Sequence, residues 1–198
     1  MKAADDPVSK TLLPALVHEV NNATQLLVGL RALLELPSGE ELFAQRANDL
    51  ARASERMDEL GFALAVLATA NGADVLLARR HAEALRIVWD LAVRALERGD
   101  GGRIAVTGEP PRIAPSALDG WQIPWAAAAL VVHASERMGA DAWRWRWDDA
   151  GRLIGRAAGA IELDEGLLAH IVERIPGGRV DVRGEAIELV LAEDWLAP

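Results

Sequence analysis

The chain has 198 residues, 51% of them hydrophobic, and a mean hydropathy of +0.09, which fits one ordinary globular domain or two small ones sharing a surface. A formal net charge of −9 and a pI near 5.0 argue against a nucleic-acid binder, and the absence of cysteine excludes disulfides and thiolate metal sites. The N-terminal "MKAADDPVSK" lacks the apolar core of a signal peptide, and no apolar run approaches the roughly 18 residues of a membrane span, so a cytoplasmic protein off the membrane is expected.

From Ser9 to Leu36, Leu12, Leu16, Ala23, Leu26, Leu30 and Leu33 recur at helical spacing, and Leu13, Val17, Val20, Leu27 and Leu34 form a second apolar set beside them. Pro14 marks a start or a kink in this helix. "PSGE" (Pro37 to Glu40) breaks the pattern, with Ser38 placed to N-cap a second helix from Glu41 to about Ala70. Residues 1–71 therefore read as an antiparallel helical hairpin. Its apolar surface is too wide for one partner, and pairing two copies into a homodimeric four-helix bundle is the simplest way to bury it.

"NGAD" (Asn71 to Asp74) marks a boundary, after which residues 72–198 read as α+β. A helix over His81 to Arg98 precedes a short strand, Arg103 to Gly108, and a proline-rich loop leads to a helix from Trp121 to Met138. "WRWRW" (Trp143 to Trp147) alternates as a strand with its tryptophans on one face, packed on a helix while the arginines face water. "DDAG" turns into "RLIGRAAG". A helix from Asp164 to Ile175 and a strand pair, "GRVDV" and "AIELVLA" joined at Gly184, complete a small, mostly antiparallel sheet with helices on one face.

A helical hairpin with "HEVNN" (His18 to Asn22) early in its first helix, followed by an α+β unit, resembles a bacterial sensor histidine kinase core, and "HEVNN" matches the H-E-x-N-N form of that family's phosphorylated-histidine box. "AALVVHASERM" (Ala128 to Met138) resembles the helix that carries the nucleotide-binding asparagine, with His133 at the asparagine position. "GLLAHIVERIPGGRVDVRGEAIELVLA" (Gly166 to Ala192) is similar to the terminal helix and strand hairpin of the kinase ATPase-like domain. The departures from that family are concentrated on nucleotide binding. Such kinases use the asparagine amide for Mg²⁺, an aspartate for the adenine amino group, and glycine-rich loops for close backbone approach. Here His133 replaces the amide, Ala157 stands at the aspartate position in one alignment of "GRAAGAI", and in the other "DDAGRLI" lacks its second glycine. Residues 161–166 leave no room for an ATP lid, and "GLL" stands where a second glycine-rich loop belongs.

The chain thus resembles the dimeric histidine phosphotransferases of phosphorelays, which keep the histidine helix and retain the ATPase-like domain only as a degenerate fold. The resemblance implies a phosphoryl carrier at His18, response-regulator receiver domains as partners, no nucleic acid or membrane, and no cofactor on this chain, with Mg²⁺ supplied by the receiver. The alternatives are a non-catalytic pseudo-kinase scaffold and, against the lost loops, an autophosphorylating kinase. At helical spacing, Thr11, His18, Asn22, Gln25 and Gly29 share one stripe with no large apolar side chain. An uncharged imidazole nitrogen is a competent nucleophile toward an acyl phosphate. Glu19 is expected to hydrogen-bond the other ring nitrogen, and Asn22, one turn on, to orient the phosphoryl group or a water. "HE" also opens the zincin motif, but Asn22 stands where its second histidine would be. His81, His133 and His170 read as structural or surface histidines.

Overall fold

The computed structural model describes residues 7–70, 83–98, 104–114, 122–161, 163–175 and 177–196. The chain is α+β: six α-helices and one five-stranded mixed sheet among the described residues. Helix α1 (Pro7–Leu33) runs through Pro14 without ending there. Helices α2 (Gly39–Gln45) and α3 (Ala47–Ala70) return antiparallel to α1. The sequence reads these last two as one helix. They separate at Arg46, whose backbone bends to φ −103°, ψ 9° and whose N–H bonds back only three residues, to Phe43 O at 2.9 Å. Ser38 stands at the N-cap position, but its hydroxyl makes no capping bond.

Helix α4 (Ala84–Arg98) leads to strand β1 (Ala105–Thr107), and α5 (Gln122–Met138) to the hairpin of β2 (Trp143–Trp147) and β3 (Arg152–Ala157). Helix α6 (Glu165–Glu173) then precedes β4 (Arg179–Arg183) and β5 (Ala186–Val190). The order is β1-β2-β3-β5-β4, with β1 parallel to β2 and the remaining pairs antiparallel. The "NGAD" boundary, His81 and the loop 115–121 lie outside the described residues.

Period-two alternation decides the sheet's two faces. Trp143, Trp145 and Trp147 are buried, and Arg144 and Arg146 are exposed. Trp89 of α4 meets Trp145 and Trp147 edge-on at 6.5 and 5.5 Å between ring centres, contacts worth about 0.5–1.5 kcal/mol each beyond their buried area. The Trp143 indole N–H donates to Ala134 O of α5 at 2.9 Å. Gly155, paired with Trp145 across the strands, leaves room for that indole, since a Cβ there would lie 2.5 Å from a ring carbon. Helix α5 is the central element, buried from Ile123 to Ser135. Val8, Leu12, Ala15 and Leu16 of α1 join the same buried cluster as α4, α5 and the sheet tryptophans. Hairpin and α+β segment therefore share one core.

Candidate functional site

Helix α1 turns 100° per residue, and its exposed and buried positions sort into three stripes. Leu12, Leu16, Ala23 and Leu30 are buried. Roughly a third of a turn to one side lie His18, Asn22, Gln25 and Gly29, all exposed. Thr11, on the same stripe, is half-buried, and its hydroxyl meets Glu136 Oε1 of α5 at 3.4 Å. On the other side lies an apolar stripe, with Leu13 47% exposed, Val17 53% and Val28 61%. Leu26 (41%) and Leu34 (51%) are also uncovered, so much of the apolar surface read from the sequence lies outside this chain's own core.

The His18 imidazole makes no hydrogen bond or ion pair among the described residues, and neither does the Asn22 amide. Glu19 is the opposite case. The 100° step from His18 turns it toward the interior, where its side chain is only 12% exposed. One carboxylate oxygen accepts from Arg56 of α3 at 3.1 Å and faces Arg94 of α4 at 3.5 Å, and the other accepts a short hydrogen bond from Arg98. Burial alone would raise this carboxyl. The hydrogen bonds from Arg98 and Arg56 outweigh burial and hold it below the usual glutamate value. The contact expected between Glu19 and the imidazole is thus not made; three arginines occupy the carboxylate instead.

The pairing continues beyond Glu19. Arg56 also donates to Glu59 at 2.7 Å, Glu59 accepts from Arg86 at 2.9 Å, and Arg86 reaches Glu83 at 2.8 Å and Asp90 at 3.3 Å. Arg112 closes the far end on Glu83 at 3.1 Å. Hydrogen bonds to Glu83 and Glu59 raise the Arg86 pKa further above its already high value. Alternating charges thus tie α1, α3, α4 and the segment after β1 together, beginning one residue from His18. The sequence places Arg56 on a solvated face of its helix. Arg94 and Arg98 leave no sequence signal, because only the fold brings residues 94 and 98 to residue 19.

The positions that the kinase resemblance assigns to nucleotide are bonded to each other. His133 Nε2 accepts the backbone N–H of Asp164 at 3.3 Å, and the Asp164 carboxylate caps α6 by accepting from Gly166 N at 2.8 Å and Leu167 N at 3.2 Å. Burial, and then the nearby Arg137, lower the His133 pKa and keep the ring neutral. His170 is half-buried, its ring edge-on to Trp125 at 5.6 Å. No known protein family matches the chain, and no curated protein is significantly similar to it. Among the described residues no group of acidic and histidine side chains is arranged to hold a metal ion, and no helix is long and apolar enough to cross a membrane.

Proposed function

We propose that this protein is a cytoplasmic histidine phosphotransferase that carries a phosphoryl group on His18 between the aspartates of response-regulator receiver domains, without binding ATP. The observation that carries this reading is the contrast between neighbours on α1. Glu19 is anchored by three arginines, whereas His18 and Asn22 stand exposed, with no bonding partner among the described residues, on a face without bulky side chains. A helix held this firmly presents its nucleophile in one place, and in-line phosphoryl transfer requires mainly positioning.

In the forward step an imidazole nitrogen lone pair attacks the phosphorus of the receiver's aspartyl phosphate. The P–O bond to the aspartate breaks, and the electron pair leaves with the carboxylate. Mg²⁺ held by the receiver offsets charge on the transferring group. Asn22, one turn from His18, orients that group or a hydrolytic water. Glu19 is a positioning residue. Its arginines exceed its charge and leave a positive field beside the phosphohistidine, with Arg94 and Arg98 still 45% and 40% exposed. The apolar stripe lies on the other flank from His18, so a second copy could cover Leu13, Val17 and Val28 in a four-helix bundle while the histidine stays open.

Incubation with a phosphorylated receiver should label the wild-type chain and leave His18→Ala unlabelled. Absence of labelling across several receivers would favour a scaffold that binds a receiver or kinase without transfer. A rise in melting temperature with ATP or ADP, retained when Arg144 and Arg156 are replaced, would instead favour a kinase.

A further inference from the structure

Among the described residues no helix covers the sheet face opposite the tryptophans, where Arg144, Arg146 and Arg156 are exposed, and its charge departs from that of the whole molecule. It displays six arginines, at 144, 146, 152, 156, 179 and 183, against the carboxylates of Asp181 and Glu188, on a chain whose net charge is −9. The charges are unevenly placed. Arg152 pairs with Asp148 at 2.7 Å, Arg179 with Asp181 at 2.9 Å and Arg183 more loosely with the same Asp181 oxygen at 3.7 Å, while Arg144, Arg146 and Arg156 have no ion-pair partner among the described residues.

Register concentrates the excess. Arg144 stands directly opposite Arg156, and the same row continues through Ala186 to Arg183, with no acidic residue in it. Like charges directly opposite on neighbouring strands are destabilising, and substitution of either would relieve them. This row borders a depression of about 590 Å³ at the end of the sheet, where β2 begins, β3 ends and the β4–β5 turn lies. Arg144, Arg156 and Arg183 line it over alanines, with Asp141 and Glu185 also at its wall. The volume lies within the range of small-molecule sites.

We propose that this depression binds a small phosphorylated molecule, whose phosphate oxygens are held by Arg144, Arg156 and Arg183. Guanidinium forks match phosphate oxygens in pairs, and the alanine floor lets the group approach closely. Asp141 and Glu185 choose the size of the ligand. They would repel an extended polyanion lying across the sheet, yet they can accept hydrogen bonds from hydroxyl or amino groups beside a phosphate. This inference does not depend on His18.

Titration calorimetry with inorganic pyrophosphate at 0.15 M salt tests it. Binding is expected with a dissociation constant below about 1 mM, weakening as salt rises. The double variant Arg144→Gln, Arg156→Gln should bind at least about tenfold more weakly, and Arg183→Gln should also weaken binding. Without ligand the double variant should melt about 1–3 °C above the wild type, which also shows that it folds. No heat from pyrophosphate, or undiminished affinity in the double variant, would overturn the proposal. So would binding to polyglutamate or anionic vesicles without binding to pyrophosphate.

Discussion

At the scale of single residues, His18 and Glu19 differ in exposure and in bonding, and the proposed function assigns them different roles. His18 is exposed and makes no hydrogen bond or ion pair among the described residues, so His18→Ala should leave unfolding stability within about 0.5 kcal/mol of the wild type while abolishing phosphoryl acceptance. Glu19→Gln should act mainly on stability. It leaves Arg56, Arg94 and Arg98 facing one another without their shared anion, and we expect a loss of about 1–3 kcal/mol in denaturant unfolding. Phosphoryl acceptance by Glu19→Gln should be reduced rather than abolished. "HEVNN" was legible in the sequence as a polar cluster within an apolar helix. Which of its members faces a partner and which is held inside was not, because Glu19's partners come from residues 56, 94 and 98.

Among the elements, legibility followed period. The β2 strand could be read whole, because strict alternation of tryptophan and arginine admits one geometry. The break at Arg46 was hidden, because the apolar spacing continues across it while a three-residue backward hydrogen bond separates α2 from α3. Pro14 suggested a start or a kink; α1 begins earlier, at Pro7, and continues through it. Gly155→Ala should cost about 1–3 kcal/mol, since the new Cβ meets the Trp145 ring and not open space; thermal unfolding would show it. The apolar stripe of α1 makes a separate prediction. Val17→Glu with Val28→Glu should convert a dimer to a monomer in light scattering without unfolding the chain, because both side chains are more than half exposed. A wild-type chain that is already monomeric would remove the four-helix-bundle reading.

Across the whole molecule, net charge misdirects a reader of the sequence. An acidic total of −9 conceals an arginine-rich sheet face, since a sum carries no information about register. The hairpin and the α+β segment look separable along the chain, yet they share one buried cluster. Acid stability follows from the same packing. His133 has a folded pKa below its free value of 6.5, so its stability contribution is complete above that pH and is lost as pH falls from it toward the folded pKa. Glu19 and Glu59 have folded pKa values below 4.5, so their contribution is complete above 4.5 and disappears as pH drops through the folded values. Denaturant midpoints measured from pH 8 to 3 should therefore decline in two stages, and His133→Gln should flatten the first only.

The ionic clamp on Glu19 also has a kinetic meaning. Helix α1 is bonded to α3 and α4 on one side and shares its core with α5, so its position is tied to theirs. On the proposed reading His18 keeps its place, and the travel in the reaction belongs to the visiting receiver. In stopped-flow mixing, transfer should then begin without a lag, its initial rate rising in proportion to receiver concentration and falling with salt as encounter slows.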